Sequence, residues 1–138
     1  MFTIDIANEQ SILNVDAHQV TQIARDILAG EEITRATVSI AIVDDSTIHE
    51  LNRRHLSHDY PTDVLSFVFD EQDGLDGEVI VSAETAERSA QEYATTADRE
   101  LLYYIIHGML HLTGYTDKEE PFLSRMRARE QYYMKKLS

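Results

Sequence analysis

Hydrophobic positions along this chain change their period several times, and each change marks an element. Phe2, Ile4 and Ile6 alternate with Thr3 and Asp5, which predicts a strand with one buried face. After Asp16, a residue suited to cap a helix, Val20, Ile23, Ala24, Ile27 and Leu28 recur at helical spacing until Gly30 ends the run. The stretch 36–43, ATVSIAIV, is dense in β-branched residues and predicts a second strand. Asp44-Asp45-Ser46 predicts a turn and cap before a short helix through Ile48, Leu51 and Asn52. His55 to Asp59 is polar, and Pro61 breaks it. Val64 to Phe69, VLSFVF, predicts a third strand, and 70–77, with two glycines and four acids, predicts a loop. Glu78 to Val81 predicts a fourth strand. Ser82 then caps a helix running to about Thr95, Asp98 starts a strongly apolar one, and Pro121 stands near the start of a last helix in which Phe122, Met126, Arg129 and Tyr133 keep helical spacing.

The order β-α-β-α-β-β-α-α-α predicts a small α/β or α+β fold: a four-stranded mixed sheet packed with helices, its third and fourth strands antiparallel across a hairpin-like connection. At 138 residues the chain reads as a single domain, 1–138, large enough for a real core, and 43% of it is hydrophobic. No apolar run is long enough to predict a membrane span, and the N-terminus lacks the basic-then-apolar pattern of a signal peptide. The absence of cysteine excludes disulfides and thiolate ligands and fits a cytoplasmic protein. The net charge of −13 argues against broad nucleic-acid binding, and no DNA partner is expected, although a local basic cleft remains compatible with it. Basic residues gather at Arg53-Arg54 and at Arg125, Arg127, Arg129, Lys135 and Lys136, and these clusters read first as solvated helix surface.

The chemistry-bearing segment is His107-Gly108-Met109-Leu110-His111-Leu112-Thr113-Gly114-Tyr115-Thr116-Asp117. Helical neighbours four apart lie about 5–6 Å from each other at Cβ, so His107 and His111 share one face within reach of one metal ion. The segment 101–106 leading into His107 is apolar on nearly every face, as are Met109, Leu110 and Leu112, which predicts a buried helix. Two buried imidazoles need partners, and a shared ion would supply both. Gly114 can adopt positive φ and end the helix, letting the chain double back so that Asp117 approaches as a third ligand. Three protein ligands with an open position is the pattern of a catalytic metal, and with only nitrogen and oxygen donors available the ion expected is Zn²⁺ or a neighbour of it. Gly108, not Glu, follows His107, so the general base of the His-Glu-x-x-His metalloproteases is missing.

Three stretches together resemble the YbeY family of bacterial rRNA-maturation endoribonucleases. His107-Gly108-x-Leu110-His111-Leu112-x-Gly114-Tyr115 is similar to its metal-binding signature, Leu51-Asn52 followed by 61–67, PTDVLSF, to its central segment, and 77–82, GEVIVS, to a third conserved stretch. The strand 38–45 fits the one preceding the central segment, so the likeness runs in order along about the whole chain. The resemblance implies a zincin-like α/β domain, one zinc ion on the histidine helix, hydrolysis of single-stranded RNA in 16S rRNA 3′-end maturation and ribosome quality control, and rRNA, the ribosome or a ribosomal protein as partners. Two positions depart from the family pattern. Its third ligand is a histidine where this chain has Asp117, with Thr116 standing where the family has Asp, and it has an arginine in the substrate cleft where this chain has Leu56. A carboxylate ligates Zn²⁺ well, but its charge lowers the ion's Lewis acidity, and leucine cannot pair with a phosphate. Arg53 and Arg54 are the candidates to stand in for that cation. His58, with Asp59 and Asp63, is a candidate base, although Thr62 and Asp63 read as bracing backbone and Ser66 as a buried hydrogen-bonding residue. The alternatives are a catalytically weak member that serves as a ribosome or ribosomal-protein binding module, and, more remotely, a metallopeptidase.

Overall fold

The computed structural model describes residues 1–56 and 62–137; His58, Asp59 and Pro61 lie outside the described residues. The element order is β1 (Phe2–Asn8), α1 (Ala17–Gly30), β2 (Ala36–Val43), α2 (Asp45–Leu56), β3 (Val64–Asp70), β4 (Leu75–Ser82), α3 (Ala83–Glu92), α4 (Ala97–Leu112) and α5 (Phe122–Lys135). The four strands form one mixed sheet in the order β1-β2-β4-β3. β1 pairs parallel with β2 and β2 parallel with β4, while β3 returns antiparallel along β4. The expected mixed sheet with an antiparallel β3–β4 pair is what forms.

Strand alternation divides the apolar residues between two faces. Val38, Ile40, Ile42, Val79 and Val81 join the main core with Ile23, Ile27, Leu28, Ile105, Ile106 and Met109. Val43, Leu65 and Ile80 face the other way, where Ile48 of α2 closes a smaller cluster flanked by Ala41, Leu51 and Phe67. The larger core is built around α4, which packs against α1, α3, α5, β3 and β4. Its leucines, isoleucines and Met109 are buried almost all round, as the sequence pattern expects. Among the described residues no helix is long and apolar enough to cross a membrane.

Several boundaries differ from the sequence expectation, three of them for clear physical reasons. β4 begins at Leu75, inside the stretch read as a loop. Leu75, Gly77 and Val79 are buried while Asp76 is exposed and Glu78 half-buried. The period-two alternation therefore starts before the glycines end, and parallel pairing with Ala36, Thr37 and Val38 fixes it as strand. α3 stops at Glu92 rather than near Thr95, because Ala94 takes φ 54°. α4 starts one residue before Asp98: the side chain of Thr96 accepts from Arg99 N, and Asp98 sits in the first turn, where its charge suits the helix dipole. The expected caps hold elsewhere, with Asp16 accepting from His18 N and Gln19 N, Asp44 from Thr47 N and Ser82 from Thr85 N.

Candidate metal centre

The C-terminal half of α4 carries the site. Gly108 permits it to lie close on the sheet, since a Cβ there would come within 2.6 Å of Val79 Cγ1 and 3.0 Å of Val64 Cγ2. Ser66 Oγ donates to the Gly108 carbonyl at 3.1 Å, the hydrogen-bonding role expected of it, from a half-buried rather than buried position. The helix ends in a Schellman turn: Gly114 N bonds His111 O and Tyr115 N bonds Leu110 O, both at 3.1 Å, with Gly114 at φ 111°. That turn reverses the chain and carries Asp117 back to the histidines, as the spacing expects.

His107 and His111 meet ring to ring, with centroids 4.6 Å apart and planes at 84°. Their Nε2 atoms face each other at 3.0 Å. Asp117 Oδ2 lies 3.4 Å from Nε2 of His107 and 3.7 Å from Nε2 of His111. One ligand atom from each of these three residues falls within 4.8 Å of the others, so the group could hold a metal ion. The opposite nitrogens decide what the facing atoms carry. Nδ1 of His107 is 2.5 Å from Glu130 Oε2, and Nδ1 of His111 is 3.0 Å from the Tyr115 carbonyl. A carbonyl and an ionised carboxylate only accept, so each Nδ1 carries a proton. In the neutral form of each ring this leaves a lone pair on Nε2, aimed at the other Nε2 and at a carboxylate. Three acceptors converging without a donor are satisfied by a cation, and the nitrogen and oxygen donor set suits a divalent ion of the zinc class. Burial, followed by the neighbouring His107, lowers the His111 pKa, which keeps its ring neutral and free to ligate.

Glu130 is the residue that sequence reasoning missed. It is 0% exposed on α5. Its Oε2 is given to His107, while Oε1 accepts from Tyr103 at 2.8 Å and from Arg127 Nη1 at 3.1 Å. Burial alone would raise its carboxyl pKa, but the bonds from His107 and Tyr103 outweigh this and hold it low. The same carboxylate, after burial, helps push the Tyr103 hydroxyl up to about 12. The buried residues of α5 are Met126, Glu130, Tyr133 and Met134, so the expected stripe through Phe122 and Arg129 is corrected: Phe122 is exposed and Arg129 half-buried. An acid four after Met126 and three before Tyr133 was the available signal.

The C-terminal basic cluster is in part engaged rather than solvated. Arg129 Nη2 bonds Glu31 Oε2 at 2.5 Å, and Glu31 also accepts from the hydroxyls of Tyr115 and Tyr133. These donors hold Glu31 low against the opposing effect of burial. The network fixes Tyr115, whose carbonyl serves His111.

The candidates on α2 are placed differently. Arg53 and Arg54 lie on its last turn and bond Glu50, at 2.6 and 3.2 Å. The hydrogen-bond and ion-pair partners of the two site histidines, among the described residues, are Glu130, Tyr115, Asp117 and each other. Leu56 is 44% exposed at the end of α2. Thr62 Oγ1 donates to Asp63 Oδ1 at 3.3 Å, and the Asp63 backbone carbonyl accepts from Ser82 N, a main-chain link to the end of β4 rather than a side-chain brace. His58 and Asp59, as noted, fall outside the described residues.

Known proteins agree with this architecture. The family model described as Endoribonuclease YbeY matches residues 5–138. A relative named Endoribonuclease YbeY from Desulfitobacterium hafniense (strain Y51) is 40% identical over 126 residues, covering 83% of this chain and 80% of its own. One of the same name from Syntrophotalea carbinolica is 38% identical over 138 residues, covering 94% and 92%. The solution structure of TM1509 from Thermotoga maritima matches with a TM-score of 0.70 at 29% identity, over 98% of this chain and 87% of that one. Read with the histidine helix and its sheet, these matches place the chain in the YbeY endoribonuclease family.

Proposed function

We propose that this chain is a metal-dependent endoribonuclease that cuts single-stranded RNA, with one zinc ion held by His107, His111 and Asp117. One observation carries the reading: two Nε2 atoms 3.0 Å apart converge with a carboxylate at the end of a buried helix. The relatives' name supports RNA as the substrate class. The finer role that follows is 16S rRNA 3′-end maturation and ribosome quality control in the cytoplasm, with the ribosome or a ribosomal protein as partner.

When bound, the ion supplies Lewis acidity towards a phosphate oxygen or a water. The chain does the rest. His107 and His111 present their Nε2 atoms from a helix that Gly108 seats closely on β3 and β4. Asp117 adds a negative charge, which makes a bound water harder to ionise than a third histidine would. Among the described residues Glu130 is committed to His107, Tyr103 and Arg127, so it is not a free base.

The test is cleavage of a single-stranded RNA carrying the 16S 3′ precursor sequence. The wild type cuts it with zinc and stops with a chelator, and His111→Ala and Asp117→Ala abolish cutting. Leu56→Arg raises the rate if a cation is what the cleft lacks. No cutting by zinc-loaded wild type or Leu56→Arg protein overturns the nuclease reading. A second reading, a ribosomal-protein binding module with weak catalysis, is favoured by Leu56 and by Glu50 holding Arg53 and Arg54. The net charge of −13 suits a basic protein partner. Stoichiometric binding of a ribosomal protein by a protein that cuts no RNA supports it.

A further inference from the structure

We infer that Glu130 is a positioning residue for the ion: it fixes His107 in the tautomer that leaves Nε2 bare and holds that nitrogen on the metal side. This rests on the metal-site reading and names the residue that prepares it.

The two imidazoles are anchored by unlike groups. His111 Nδ1 donates to a neutral acceptor, the Tyr115 carbonyl, supplied by its own helix turn. His107 Nδ1 donates to a carboxylate on another helix, 23 residues on. An anion withdraws the ring proton more strongly than a carbonyl, which makes the far nitrogen the better electron-pair donor. The proton nevertheless has to stay on His107 for Glu130 to remain charged, and the other carboxylate oxygen ensures this. Oε1 takes the Tyr103 hydroxyl and the Arg127 guanidinium, and Arg127 Nη1 also donates to the Tyr103 oxygen at 2.6 Å. These donors stabilise the carboxylate and lower its affinity for the ring proton. One oxygen therefore serves the histidine alone, and the other is held by a chain that reaches the surface at Arg127, whose side chain is 55% exposed.

The experiment measures two things on the full chain: zinc affinity by competition with a chelator, and the tautomer of each site histidine by long-range proton–nitrogen NMR of the metal-free protein. Wild-type His107 is expected as the Nδ1–H form. Glu130→Gln keeps the shape and removes the charge; it is expected to weaken zinc binding about 10–100-fold and to raise the Nε2–H population of His107 while His111 stays as it was. Arg127→Gln, at an exposed position, is expected to give a smaller loss in the same direction. A wild-type His107 found as Nε2–H overturns the inference without any variant. So does Glu130→Gln protein that binds zinc within about twofold of the wild type with an unchanged tautomer, even where its stability falls. Wild-type protein that takes up no zinc defeats the underlying metal-site reading instead. Zinc binding without RNA cleavage defeats the nuclease reading and leaves this inference standing.

Discussion

Asp117 and Glu130 both meet His107, one on each ring nitrogen, and they differ in nearly everything but charge. Asp117 sits on a reversed loop with its side chain 35% exposed, and it faces lone pairs rather than donors. Glu130 is 0% exposed on a helix and accepts from three donors. A carboxylate facing unprotonated nitrogens lacks a partner that a cation supplies. A carboxylate satisfied on both oxygens is already part of the framework. Contact with a histidine therefore says little about role; what matters is whether the facing nitrogen carries a proton.

This contrast is broken most severely at the ligands. His107→Ala or His111→Ala is expected to reduce bound zinc from stoichiometric to none, read by elemental mass spectrometry. Asp117→Ala is expected to lose more affinity than Glu130→Gln but to leave the stability of the metal-free protein within about 0.5 kcal/mol, since its side chain is only half-buried. Asp117→His is expected to tighten zinc binding, because it adds a nitrogen donor and removes a charge.

Glu130→Ala inverts that pattern. It strands the Tyr103 hydroxyl and His107 Nδ1 without acceptors and opens a void, so urea unfolding of the metal-free protein is expected to show a loss of about 2–4 kcal/mol. Equal stability losses at Asp117 and Glu130 would erase the distinction. Gly108→Ala disturbs the seat that serves both carboxylates. Its Cβ collides with Val79 and Val64, and a loss of about 1–3 kcal/mol is expected in the same assay.

The smallest effect is on the acid limb of stability. Glu130 and Glu31 have carboxyl pKa values lowered in the folded state. Their stabilisation is fully present above the unfolded glutamate pKa of about 4.3 and is lost as pH falls through the lower folded values. Metal-free Glu130→Gln protein is therefore expected to lose stability less steeply than the wild type below about pH 4, measured by urea midpoints across pH.

Much of the fold and half of the site were legible in the sequence, for local reasons. Period-two and helical spacing, with caps at Asp16, Asp44 and Ser82, gave the elements and their order. His107, His111, Gly114 and Asp117 lie within eleven residues, so helix geometry and one positive-φ glycine suffice to bring them together. Glu130 was not legible because its link to His107 depends on how α5 packs against α4, which no local period encodes. The start of β4 at Leu75 was missed for a related reason: pairing with β2 overrode the turn signal of Gly74 and Gly77. The arginines of α5 misled because composition counts charge but not partners, and Glu130 and Glu31 hold Arg127 and Arg129.

The measurement that bears most directly on the metal centre is a zinc titration of metal-stripped wild-type and Asp117→Ala protein, followed by calorimetry and checked by elemental mass spectrometry. If His107, His111 and Asp117 form the site, the wild type binds about one ion per chain and Asp117→Ala binds it far more weakly. Wild-type protein that takes up no stoichiometric zinc, or an Asp117→Ala variant that binds as tightly as the wild type, would contradict that ligand set.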